Sequence, residues 1–245
     1  MPPVVQPSAH RVASRYLEAR AIPLDKSSLR RLVKELTRKL LQAFTRAKPD
    51  QPIRNKSVWA EADYETRSVK GEPLNIMVVV RAGKDTRPGP YVDSGGFGKH
   101  RNGRPVVILS LNGSYTAAEY LKSLQSPELI EGMLYNILIH EVTHAVDIQD
   151  KSTYEVGTAG GTFSTPDLKR YYNDPKEVRA FMQQVVDEVT NGSLIKHIEK
   201  LTERFGQNKA VSMLLKNSET WNEAQKYWTP SNRNRVMKSV YQAIT

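Results

Sequence analysis

From Pro127 to Ile148, apolar side chains cover most of the circumference of one helix, and the polar residues Asn136, His140, His144 and Asp147 recur at intervals of four, four and three. A helix that is apolar on nearly every side has to be wrapped by other elements. A polar stripe enclosed with it has to meet hydrogen-bond partners or a metal, because each group left unsatisfied costs roughly 1–3 kcal/mol. At 245 residues the chain is long enough to enclose such a helix. Its longest near-continuous apolar run, Met133 to Ile139, falls far short of the roughly 20 residues that cross a bilayer, so a membrane-spanning chain is not expected.

Within the stripe, His140-Glu141-Val142-Thr143-His144 reads HExxH. Chance placement yields this pattern in roughly one chain in 150 of this length and composition, so the motif needs its helical context to carry meaning. That context is present. Residues i and i+4 project from one face, so two imidazoles converge on a single ion while Glu141 lies beside them, aimed at a bound water. The chain has no cysteine, so any metal site must use His, Asp or Glu, and two neutral nitrogens with a carboxylate suit Zn2+. The plainer alternative is a pair of core histidines hydrogen-bonded to their neighbours.

Around this helix the pattern reads as helices, then a small sheet, then helices, which argues for an α+β fold rather than alternating βαβ units. Ala9 to Ala21 and Lys26 to Lys48 read as helical. The second repeats Leu29, Leu32, Val33, Leu36, Leu40, Leu41 and Phe44 at helical spacing and ends at the Lys48-Pro49-Asp50-Gln51-Pro52 cluster. Residues 1–50 carry 11 Lys+Arg against 4 Asp+Glu and are expected to form a basic helical arm on a 51–245 domain whose helical C-terminal subregion starts near residue 192. That charge makes nucleic acid or another polyanion a candidate partner of the arm, although Tyr16 and Phe44 are almost its only aromatic residues. Asn75 to Arg81 and Arg104 to Leu111 read as strands, and Ala82 to Gly103 as a loop or hairpin excursion between them. The N-terminus lacks the basic and apolar regions of a secretory signal, so a cytoplasmic or virion-associated location is expected.

A catalytic zinc normally takes three protein ligands and leaves a position for water. Asp147, Asp150 and Glu177 are the candidates for the third. Asp147 lies on the histidine stripe, three residues after His144, where a carboxylate can instead orient an imidazole. Glu177 has a competing structural role: with Asp174 as N-cap and Pro175 at the first helical position, it could close a capping box. A donor for a developing oxyanion is also expected, and Tyr172, Tyr171, Tyr154 or Arg179 could supply it.

Taken together, HEVTHAVD, DPKEVRAF and the helical tail from Trp221 to Ile244 resemble zincin-like metallopeptidases of the gluzincin kind, and more loosely peptidases encoded by tailed phages. Glu177-Val178-Arg179-Ala180 is similar to the ExxA sequence with which gluzincins complete the HExxH site. Asp150 stands at the spacing that metzincins use, but Asp147 occupies the position of their turn glycine. The resemblance implies a small twisted sheet over the HExxH helix, with Arg104 to Leu111 as the edge strand that pairs with an extended substrate. It also implies a zinc-dependent endopeptidase acting on a protein or peptide, with His140, His144 and Glu177 on the metal and Glu141 as general base; of the oxyanion-donor candidates, Tyr172 is taken as the catalytic one. A non-enzymatic virion or assembly protein that keeps the fold, and a protease docked on nucleic acid through residues 1–50, are the alternative readings.

Overall fold

A computed structural model describes residues 24–53, 58–68, 71–83, 90, 92–99, 103–123, 126–147 and 165–244. The expected helix over 9–21 lies outside them. The chain divides into two compact units, Pro23–Ser164 and a helical unit from Thr165 to the C-terminus. The fold is mixed α+β, with one four-stranded sheet among the described residues.

The Pro23–Ser164 unit opens with α1, Lys26–Arg46. Its N-cap Asp25 accepts hydrogen bonds from the Ser27 and Ser28 hydroxyls and backbone N–H groups, which hold its carboxyl well below the usual carboxylate range. Leu29, Leu32, Val33, Leu36, Leu40 and Phe44 of the stripe visible in the sequence are buried, and Leu41 is half-buried. The sheet follows as β1 (Val58–Arg67), β2 (Pro73–Gly83), β3 (Val92–Lys99) and β4 (Pro105–Asn112), in spatial order β1-β2-β4-β3. The β1/β2 and β3/β4 pairs are antiparallel, and β2/β4 is parallel. After the short helix α2 (Ala117–Ser123) comes α3, Pro127–Asp147. It packs on β3 and β4, while α1 packs on β1 and on α3. Ile76, Val78, Val80, Val107, Leu109 and Leu111 form the buried middle of the sheet.

Three expectations change here. Residues 26–46 do not stand off as an arm, because their apolar stripe is built into the core of this unit and only the opposite face carries the basic excess. Arg104–Leu111 is not an edge strand: β4 is hydrogen-bonded on both sides, to β2 and to β3. Among the described residues the sheet's edges are β1 and β3, and β3 lies within the stretch expected to be a loop or excursion. Its sequence, VDSGGFGK, has little intrinsic strand preference, and pairing with β4 supplies what local propensity does not. A strand was also missed. In β1, buried Ala60, Ala62 and Tyr64 alternate with exposed Glu61, Asp63 and Glu65, a period-2 signal weakened by the small alanines.

The helical unit contains α4 (Thr165–Asn173), α5 (Pro175–Asn191), a 3-10 turn at Ser193–His197, α6 (Ile198–Phe205), α7 (Gln207–Leu215), α8 (Glu219–Ala224) and α9 (Pro230–Ile244). Val178, Met182, Val185, Val186 and Val189 of α5 pack with Val211, Leu214, Trp221, Trp228, Val236 and Val240. Since α5 supplies the centre of this core, the helical unit begins at Thr165 rather than near residue 192. The half-buried carboxylate of Glu188 joins α5 to the start of α8: it accepts from the Ser218 hydroxyl at 2.6 Å, from the Thr220 N–H at 3.2 Å and from the Thr220 hydroxyl. Glu188→Ala removes all three acceptor contacts and should cost about 2 kcal/mol. Chemical denaturation of the full chain checks this, with Glu188→Gln, which keeps an acceptor oxygen, expected to lose less.

Among the described residues, no helix is long and apolar enough to cross a membrane.

Candidate metal centre

Helix α3 carries the histidines in its last two turns. His140 and His144 are 8% and 6% exposed, and Glu141, between them in sequence, is 8% exposed. The two histidines present the same atom to each other, with Nε2 to Nε2 at 3.2 Å, and their rings meet edge to face at 79°. The neighbouring Thr143, also buried, donates its hydroxyl to the Ile139 carbonyl at 2.7 Å and so satisfies itself within the helix. The N-terminal end of the expected stripe behaves differently. Asn136 is exposed and needs no buried partner, so enclosure is confined to the HExxH turns. The side chain of Asp147, and all of Asp150 and Tyr154, lie outside the described residues.

Glu141 is set against the edge strand. An added Cβ at Gly95 of β3 would lie 2.5 Å from Glu141 Cγ and 2.7 Å from its Oε1, so the strand backbone runs directly over this carboxylate.

In the helical unit, Glu177 stands in the first turn of α5. Asp174 caps that helix, accepting from the Lys176 N–H at 2.9 Å, and Pro175 takes the first position, where a missing N–H costs nothing. The Asp174 N–H donates to the Tyr171 carbonyl at 3.1 Å, which ties the cap back to the end of α4. Just before the cap, Asn173 uses its whole amide. Its nitrogen donates to the carbonyls of Lys169 and Tyr227 at 2.7 and 2.8 Å, and its oxygen accepts from the Thr229 N–H and the Asn232 side chain, both at 2.9 Å. The approach to Glu177 is thereby clamped to the segment that leads into α9.

His140, His144 and Glu177 form a group that could hold a metal ion, one ligand atom from each lying within 4.8 Å of the others. Of the carboxylates considered for the third ligand, Glu177 alone has a described side chain.

Tyr172 is stacked between Phe181 and Tyr227, each at 4.8 Å between centroids, and Tyr171 meets Tyr172 and Phe181 edge to face. Packing therefore accounts for the ring of Tyr172. Arg179 lies near Arg235 of α9, whose pKa is pushed down first by burial and then by the positive charge of Arg179.

No family model, curated protein or solved structure matches the chain. The chemistry of the site carries the functional reading.

Proposed function

We propose that the protein is a zinc-dependent endopeptidase with a zincin-like core of the gluzincin kind. The observation that carries this reading is the donor set: two buried imidazoles whose Nε2 atoms lie 3.2 Å apart, grouped with the Glu177 carboxylate. Two nitrogens held about 2.05 Å from one ion at a tetrahedral angle are about 3.3 Å apart, which agrees with the histidine pair. A histidine–histidine hydrogen bond would give a similar distance, but it would explain neither the carboxylate beside the pair nor Glu141 on the same helical segment.

Bound zinc would act as a Lewis acid, polarising the scissile carbonyl and making a coordinated water acidic enough to ionise near neutral pH. The residues of the chain do the rest. Glu141 takes a proton from the attacking water and passes it to the departing amine as the C–N bond breaks, so one water is consumed and a carboxylate and an amine are released. Tyr172, its ring held by the aromatic stack, is our candidate donor to the developing oxyanion. On the other side, β3 is paired only with β4 among the described residues and can receive an extended peptide by strand addition, which supports a protein or peptide as substrate.

Protein purified with zinc supplementation should hold about one zinc per chain and cleave an unstructured protein such as casein, and a chelator should stop the cleavage. Zinc occupancy should fall as the pH is lowered, because both imidazoles must be unprotonated to coordinate; titration of zinc content against pH checks the sign. Zinc retained without any hydrolysis would favour a non-enzymatic scaffold, and metal-free protein after supplementation would remove the metal reading altogether.

A further inference from the structure

Gly95 is a glycine for a reason that its backbone does not explain. It is not one of the chain's positive-φ glycines, so its conformation is open to any residue. Its surroundings are not. A Cβ there would fall 2.5 Å from Glu141 Cγ, 2.7 Å from Glu141 Oε1 and 2.7 Å from Ile137 Cγ2, distances that no methyl group tolerates. The next glycine on the strand is the reverse case: around a Cβ at Gly96 nothing lies within 4 Å. The pleat accounts for the contrast. Gly95 pairs with Leu109 and shares its helix-facing side, where α3 packs, whereas Gly96 pairs with Ile108 and faces the other way.

We infer that Gly95 is a positioning residue for Glu141: the bare backbone at this point of the edge strand forms the wall that sets where the carboxylate sits. Of the two side chains nearest to such a methyl group, Ile137 is β-branched and restricted to essentially one rotamer in a helix, while Glu141 has three torsions and yields more easily. Alanine at position 95 therefore displaces the carboxylate, leaves the strand paired and does not touch the histidines. The catalytic consequence rests on the peptidase reading above; the contact itself does not.

The test compares Gly95→Ala, Gly96→Ala, Glu141→Ala and the double variant Gly95→Ala/Glu141→Ala in the full zinc-supplemented chain. Zinc content, kcat, KM and Tm are measured for each. Gly95→Ala should keep its zinc and its KM but lose about 100-fold or more in kcat, the scale of a misplaced catalytic group. Gly96→Ala should keep wild-type zinc content and Tm, because nothing lies within 4 Å of its Cβ position. In the Glu141→Ala background, adding Gly95→Ala should cost no further activity and should lower Tm less than it does alone, because the side chain it crowds is gone. An unchanged kcat, an effect confined to KM, or equal Tm losses in the two backgrounds would overturn the inference. Should Gly95→Ala alone fail to fold, refolding in the double variant supports it and failure of both overturns it. If the wild-type protein hydrolyses nothing, the peptidase reading fails, and the pair of Tm losses alone decides whether Gly95 sets the position of Glu141.

Discussion

Glu141→Gln is expected to leave zinc occupancy at the wild-type level while peptide hydrolysis falls by about 10²- to 10⁴-fold. The amide has nearly the shape of the carboxylate and fits the same space under β3, so neither the packing against Gly95 nor the histidine pair should change. It cannot accept the proton that a water must lose to attack. Because Glu141 is not one of the three grouped ligand candidates, metal content and turnover should separate in this variant. Zinc analysis and kcat on the same preparation provide the measurement. Loss of both together would mean that Glu141 binds the ion or supports the fold, and would end its assignment as general base.

The second large effect concerns the ligands. His140→Ala and His144→Ala should each abolish stable zinc binding, since one imidazole with one carboxylate is too few donors for a tetrahedral site. Glu177→Ala should lower zinc affinity and activity together, by 10-fold or more if the carboxylate coordinates. Its helix should survive the change, because the Asp174 cap and Pro175 at the first position remain in place. Asp150→Ala should leave zinc binding nearly unchanged. Competition with a chromophoric chelator gives the affinities. Full zinc occupancy in Glu177→Ala, or loss of zinc in Asp150→Ala, would remove Glu177 from the site.

Local periodicity was enough for α1 and for the pairing of His140 with His144. The 3.6-residue repeat of apolar residues marks α1, because Leu29, Leu36 and Phe44 can reach one face in no other regular structure. The four-residue spacing of His140 and His144 likewise brings their Nε2 atoms together on α3 without help from the rest of the fold. The α+β class and the metal-ligating residue types follow from the same patterns and from the lack of cysteine.

Order within the sheet was not legible in this way. A strand's neighbours are chosen by long-range pairing, and Val-rich β4 looked like an exposed edge only because glycine-rich β3, which covers it, has almost no propensity of its own. The role of α1 was hidden for a related reason. Its charge is a property of the sequence, but whether its apolar face meets a partner or the core of its own unit depends on what packs there, and β1 and α3 do. The same holds for Gly95, which lies far from the HExxH motif in sequence. The closure of β3 over Glu141 is a distance in space, and only the tertiary structure decided it.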